Sequence, residues 1–407
     1  MFKNTWKVNM AINQFDATSS LLGYIYQIRY GLLLSLKKMR EVDDPDDCFV
    51  SIETIDDVAF EKSGTPEELL QTKYHSKPGN ITDKSPDIWK TIRVWVEAFK
   101  SERLDFKKAS LFLVTTEAIV PETLAYFLSN SRGRNTEKAH ELMCAITQDN
   151  PSHKNKHAFE LFRSISDVEQ KNLCEAIFVI DRTERLVEIE KHLENNLRGY
   201  AHSAQLKAFL NRLEGKWFSM AISALETGNG RVSLGQIVNV IDDIREQFLP
   251  FNLPDDYSTA EVDVATLIQE EHDFINQMKM FGAGERLIKK AVLDFFRACE
   301  QRARWANDGL LNPGELVNYL RKLEEEWEFN IGIVEAEISI VDEISKKRLA
   351  LEVFKKCLNE GAIPIRPHFS ESYVARGSYH HLADELVIGW HPDFKQLLAN
   401  KSKLVVA

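Results

Sequence analysis

Between residues 21 and 116 the spacing of apolar residues changes period several times, which restricts the amino end of the chain to an α/β fold. "LLGYIYQIRYGLLLSLKKM" (21–39) is apolar nearly all round and reads as a buried helix, with Gln27 its odd polar member. After an acidic loop, "CFVSIET" (48–54), "DVAFEK" (57–62) and "LLQTKYH" (69–75) read as strands, with "SGTP" (63–66) as a turn. Ser85 and Pro86 carry helix-start chemistry. The "IWKTIRVWVEAFK" that follows sets Ile88, Ile92, Trp95, Val96 and Phe99 opposite Lys90, Arg93, Glu97 and Lys100. "ASLFLVTT" (109–116) suits a buried strand, so the order is α-β-β-β-α-β.

Beyond about residue 120 helical patterns dominate. "CEAIFVIDR" (174–182) is one further strand candidate, and "TERLVEIEKHLENNLRGY" reads as a long helix. The Pro-rich "FLPFNLPDD" (248–256) marks the best later boundary. "GERLIKKAVLDFFRACEQRARWAND" and "PGELVNYLRKLEEEWEFN" are strong helices, and residues 361–394 read as an irregular tail. The expected division is 1–150, an α/β domain; 151–254, a helical middle region; and 255–407, a mainly helical carboxyl-terminal domain.

A chain of 407 residues with 44% hydrophobic and 28% charged content is that of an ordinary globular protein. No run approaches the ~20 apolar residues that cross a bilayer, and residues 1–16, without an apolar secretory core, read as a flexible leader. Five scattered cysteines, none at a CxxC spacing, argue for small buried hydrophobes in a reducing, cytoplasmic compartment. A net charge of −11 excludes a surface coated for nucleic acid, though not a basic cleft on an acidic protein.

The polar residues in "ETIDDVAFEKSGTPEELLQTKYHSK" (53–77) occupy strand positions where apolar side chains are expected. Side chains alternate along a strand, so Gln71 and Lys73 share a face, with Thr72 opposite. Glu53 and Asp57 share parity unless a turn intervenes around Ile55 and Asp56, in which case Asp56 and Asp57 exchange roles. Phosphodiester hydrolysis needs a hard divalent cation held by oxygen ligands and a group that meets developing negative charge. Glu53 and Asp57 supply carboxylates, Gln71 a neutral carbonyl oxygen, and Lys73 a compact positive charge. The expected cofactor is Mg²⁺, with Mn²⁺ the alternative. The competing reading of Lys73 is an ordinary surface ion pair.

With the acid on one strand and Gln-x-Lys on the next, the pattern resembles the restriction-endonuclease-like PD-(D/E)xK core. Over residues 18–117, "GYIYQ", "DDV" and "QTK" resemble the nuclease domain of CBASS effector endonucleases and of the nuclease subunit of Lamassu, or ABC three-component, antiphage systems. The resemblance implies that Asp57 binds metal, Gln71 takes the second-acid position and Lys73 is the catalytic lysine, with Glu53 and Gln27 as further members. Gln71 departs from the broader superfamily, and losing that charge weakens metal affinity, which makes Glu53 the more attractive ligand. "YVARGSYHHLADELVIGWHPDF" and "RARWANDGLLNPGELVNYLRKLEEEW" resemble the carboxyl-terminal region of three-component effectors. They imply docking to an SMC-like ATPase and a small third subunit, with self-assembly into a homo-oligomer once active, and no membrane.

The implied activity is a largely sequence-nonspecific endonuclease acting on double-stranded DNA. Lys90, Arg93 and Lys100 are candidate phosphate contacts, the alternative being a solvated helix face. His380, His381 and His391 invite a zinc reading, but adjacent residues diverge too far for a good ligand pair, and structural roles are expected. The competing function is a catalytically degenerate nuclease fold that serves as a DNA-binding or assembly adaptor.

Overall fold

The computed structural model describes residues 18–405 apart from 55, 149–153, 229, 265–266 and 268–271. The expected leader (1–16) and Ile55 of the expected turn therefore lie outside the described residues. Two compact units result: Met1–Tyr200 with Leu210–Asp242, and Ala201–Phe209 with Asp243–Ala407.

The first unit opens with helix α1 (Thr18–Lys38) and strands β1 (Cys48–Ile52), β2 (Val58–Lys62) and β3 (Thr65–Lys73). A short β4 (Asn80–Ile81), helix α2 (Pro86–Lys100), β5 (Ser110–Thr115) and a short β6 (Ala118–Ile119) follow. Then come α3 (Leu124–Phe127), α4 (Thr136–Gln148), α5 (Lys156–Arg163), α6 (Asp167–Ala176), β7 (Ile177–Ile180), α7 (Leu186–Leu197), α8 (Leu206–Glu226, of which Leu210 onward belongs to this unit) and β8 (Arg231–Ser233). The main sheet has six strands in the order β7-β5-β3-β2-β1-β8. β3, β5 and β7 run parallel, whereas β1, β2 and β8 join through antiparallel pairings.

The strand-level expectation for residues 48–116 holds to within a few residues at each boundary. The carboxyl-terminal part of "CEAIFVIDR" is β7, a full member of the sheet beside β5, while its first residues end α6. β8 has no counterpart in the expectation: three residues are too few to show a period, and only pairing with β1 makes them a strand. Both sheet edges thus come from beyond residue 150, so the sheet does not close within the first 150 residues.

Alternation along the strands sets the layers. Ala59 and Leu69, paired across β2 and β3, belong to a core with Trp89, Ile92, Trp95 and Val96 of α2. Trp89 meets Phe159 of α5 edge-on at 4.4 Å between ring centres. Ser85 caps α2, its hydroxyl accepting from Asp87 N, and Pro86 sits at the first position. On the other face, Val58 lies under Gly31 of α1, where Trp217 of α8 also packs and donates to Ile28 O at 2.7 Å. α1 is less enclosed than expected, because Leu21, Tyr24 and Ile25 in its first turns are exposed.

The second unit is helical: Asp273–Met280, Glu285–Asn307, Glu315–Glu337, Glu343–Asn359, Ser372–Asp384 and Phe394–Val405. Residues 372–384 correct the expectation of an irregular tail. Gly377 explains both the misreading and the packing. A Cβ built there would stand 2.1 Å from Asp294 O, so only glycine lets this helix lie against Glu285–Asn307. The Pro-rich segment is integral to this unit, with Pro254 O accepting from Trp305 Nε1 at 2.8 Å, and the boundary falls earlier, at Asp242–Asp243. Among the described residues no helix is long and apolar enough to cross a membrane.

Candidate active site

Register brings the expected residues together. β2 and β3 pair Val58 with Leu70, so one step further Asp57 faces Gln71. Asp57 is buried and held from two sides. Gln71 Nε2 donates to its Oδ1 at 2.7 Å, while Thr72 N and Thr72 Oγ1 donate to its Oδ2 at 2.7 and 3.0 Å. Lys73 Nζ donates to Gln71 Oε1 at 2.8 Å, as two residues of equal strand parity allow. Asp57, Gln71 and Lys73 thus form one continuous hydrogen-bonded chain.

The turn between β1 and β2 separates the two aspartates. Glu53 adopts a left-handed backbone (φ 53°), uncommon for a side chain of this kind, and its N–H bonds to Asp57 O at 3.2 Å. Strand parity therefore ends at Ile52. Asp56 lies deeper than Asp57, where its Oδ2 accepts from Trp95 Nε1 at 2.7 Å and its Oδ1 accepts from Asp57 N at 3.0 Å. Gln71 Nε2 donates to the same Oδ1. Burial, with the Asp57 charge adding to it, pushes the Asp56 carboxyl up to about 7 against the pull of its donors. The two aspartates are therefore not interchangeable: Asp56 anchors Gln71 to α2, and Asp57 faces the strand ends.

Glu53 is exposed and lies close enough to Asp57 to feel its charge. Partial burial and that charge raise its carboxyl, while a hydrogen bond from Gln27 and the Lys73 ammonium lower it. Gln27, buried on α1, is thereby joined to the site. Its neighbour Tyr26 stacks on Tyr74, ring centres 5.1 Å apart, and its hydroxyl lies 3.1 Å from Thr183 Oγ1, which fixes α1 beside the end of β3.

The donor set fits a hard cation. Glu53 lies close enough to Asp57 to bring two carboxylates together, and burial, with the Asp57 charge after it, raises the Glu53 carboxyl. One expected detail differs. The Gln71 carbonyl oxygen, assigned to a cation, here accepts from Lys73, and the amide nitrogen bridges the two aspartates.

Trp95 and Thr72 were not foreseen as part of this constellation. A tryptophan on a buried helix face needs a partner for its N–H, which is the signal that pointed toward the sheet. Of the candidate phosphate contacts, Lys90 is exposed, Arg93 lies 3.9 Å from Glu97, and Lys100 donates to Ser164 Oγ at 3.0 Å. In the second unit His380 packs among the rings of Phe274, Phe354 and Trp390, and His391 Nε2 lies 3.3 Å from Glu343. His381 is next to His380 on one helix, as the divergence argument assumed.

No curated protein matches the chain. Among solved structures, the Acinetobacter baumannii Cap4 SAVED/CARF-domain containing receptor aligns at 12% identity over 72% of this chain and 70% of that one, with a TM-score of 0.28. The same receptor with the cyclic trinucleotide 3'3'3'-cAAA aligns at 11% identity over 72% and 67%, with a TM-score of 0.29. TM-scores this low define no shared fold across the aligned length. Residues 274–398 match the family of C-terminal domain 7 of the ABC-three component (ABC-3C) systems. That segment, within the helical second unit, is similar to a domain of a multi-component system.

Proposed function

We propose that the first unit is a metal-dependent, largely sequence-nonspecific DNA endonuclease of the PD-(D/E)xK type, the effector of an antiphage and antiplasmid defence complex. The carrying observation is the chain from Asp57 through Gln71 to the Lys73 ammonium, at the carboxyl end of β3. The match of residues 274–398 to a three-component-system domain supports a partner-docking role for the second unit. An SMC-like ATPase of the Lamassu kind would hold the subunit inactive, and release with self-assembly would activate it.

Asp57, Glu53 and the Gln71 amide would hold Mg²⁺. When bound, that ion lowers the pKa of a coordinated water and offsets charge on phosphoryl oxygens. Lys73, whose ammonium is fixed by Gln71 Oε1 and by Thr72 O at 3.3 Å, presents a positive charge where negative charge develops on the scissile phosphate. Thr72 keeps Asp57 from turning away, and Asp56 with Trp95 keeps the Gln71 amide from rotating. Lys90, Arg93 and Lys100 would contact phosphates without reading bases.

The test is incubation of the purified chain with supercoiled plasmid in Mg²⁺ or in chelator, with and without its partner. Mg²⁺-dependent cutting that the partner suppresses supports the proposal; no cutting in any condition, or equal cutting with chelator, counts against it. Gln71 favours one second reading, a degenerate fold acting as a DNA-binding or assembly adaptor, because an amide replaces an acid at a ligand position. That reading expects DNA binding without Mg²⁺-dependent cutting.

A further inference from the structure

A second cluster of metal-ligating side chains lies in the same unit and shares no residue with the candidate active site. Ligand atoms of His75, Asp87 and Glu117 all fall within 4.8 Å of one another. The topology explains why they meet. β3 and β5 are parallel, with Lys73 opposite Thr115, so two residues beyond each strand end come His75 and Glu117. Asp87 is the second residue of α2. The cluster therefore sits at the carboxyl ends of adjacent parallel strands, where open α/β sheets gather their ligands.

The backbone around these residues is fixed. Thr116 Oγ1 accepts from His75 N at 2.9 Å and donates to His75 O at 3.2 Å. Glu117 N donates to Thr115 Oγ1 at 3.1 Å, and Glu117 O accepts from Arg182 N at 3.0 Å. Charge within the cluster is unbalanced. His75 Nε2 lies 2.7 Å from Asp87 Oδ2, so one imidazole nitrogen serves one of two carboxylates. Among the described residues no lysine or arginine pairs with Asp87 or Glu117, and the Glu117 carboxylate has no hydrogen-bond partner.

We infer that His75, Asp87 and Glu117 form a binding site for a divalent transition-metal ion of the zinc class. One imidazole nitrogen with two carboxylate oxygens is a donor set for such an ion, whereas Mg²⁺ prefers oxygen alone. Ligands of a tetrahedral zinc stand about 3.4 Å apart, so the cluster closes by side-chain rotation on a rigid backbone. Three protein ligands leave a position for water. His75 also lines a cavity of ≈ 300 Å³ with Leu22, Tyr74, Ser76 and Lys77. The site does not depend on the nuclease reading.

The experiment uses the full-length chain carrying Asp57→Asn, which removes the candidate active site's contribution. After loading with ZnCl₂ and desalting, metal content is measured by mass spectrometry. A Co²⁺-loaded sample reports nitrogen and oxygen coordination through its visible absorption. The site predicts about one zinc per chain in Asp57→Asn. It predicts at least about a tenfold loss of affinity when His75→Ala or the isosteric Glu117→Gln is added, with circular dichroism unchanged. Failure of the Asp57→Asn chain to retain zinc, or zinc retention unaffected by Glu117→Gln, overturns the assignment. Should His75→Ala unfold the chain, Glu117→Gln alone decides.

Discussion

The two units arrange their buried polar groups differently. In the first, Asp56, Asp57 and Gln71 bond to one another, to Lys73 and to Thr72 and Trp95, in one connected cluster at the strand ends. In the second, buried polar side chains are dispersed through the helices, and several close on main-chain carbonyls as well as on single side-chain partners. Gln277 donates to Ala383 O at 2.7 Å, Arg302 to Ala298 O at 3.2 Å, and Asn330 to Glu326 O at 2.9 Å. Polar groups that bond to the backbone hold a fold together. Polar groups that bond to each other retain lone pairs and charge for a third party, which is what a site for chemistry requires.

That contrast is tested first at Arg366, whose network joins one carboxylate to two main-chain carbonyls. Its guanidinium donates to both oxygens of Glu315 at 2.7 Å and to the carbonyls of Asn252 and Leu310 at 2.9 and 2.8 Å. Arg366→Ala leaves the part-buried Glu315 carboxylate without its cation, held by Asn312 N, and removes the Arg366 donors to two carbonyls, and it should destabilise the second unit by about 3–5 kcal/mol in urea unfolding. A loss below about 1 kcal/mol would remove the structural half of the comparison.

The units should also differ in pH response. Burial holds the His380 imidazole down at about 3, so its stabilising contribution is full above the unfolded value near 6.5 and is lost as pH falls toward 3. By pH 4.5 the second unit should lose up to about 3 kcal/mol, a slope that His380→Phe reduces. Asp56 acts with the opposite sign. Its raised carboxyl contributes most below the unfolded value near 4, and that contribution is lost as pH rises through about 7. Thermal unfolding of each transition between pH 4 and 8 checks both slopes, and slopes of the same sign would contradict this assignment of buried charge.

The smallest expected effect concerns the exposed face of α2. Replacing Lys90, Arg93 and Lys100 by alanine should change stability by less than about 1 kcal/mol. DNA affinity should fall, with a log–log salt dependence shallower by about 2–3. An unchanged salt slope assigns those residues to solvent.

Much of this organisation is legible in the sequence. Period-2 alternation put Gln71 and Lys73 on one face, and helix periodicity with Ser85 and Pro86 placed α2. What escaped depended on distant parts of the chain. The three residues of β8 form a strand only because β1 offers an edge. Helix 372–384 carries Gly377, a residue that weakens a helix locally by about 1 kcal/mol and is tolerated because the neighbouring helix needs the space. The separate placements of Asp56 and Asp57 follow from the left-handed Glu53 and from the indole N–H of Trp95, neither of which a period reveals. The exposure of Leu21, Tyr24 and Ile25 escaped for the same reason: an all-round apolar helix does not say which turns find a cover.

The most direct test of the central claim is the initial rate of Mg²⁺-dependent plasmid cleavage by wild type and by Lys73→Ala at equal concentration. Thermal unfolding of both proteins is measured alongside. If Lys73 meets the scissile phosphate beside a cation held by Asp57, the variant should fold normally and cut at least about 10²-fold more slowly. A Lys73→Ala protein that cuts as fast as wild type would contradict the account.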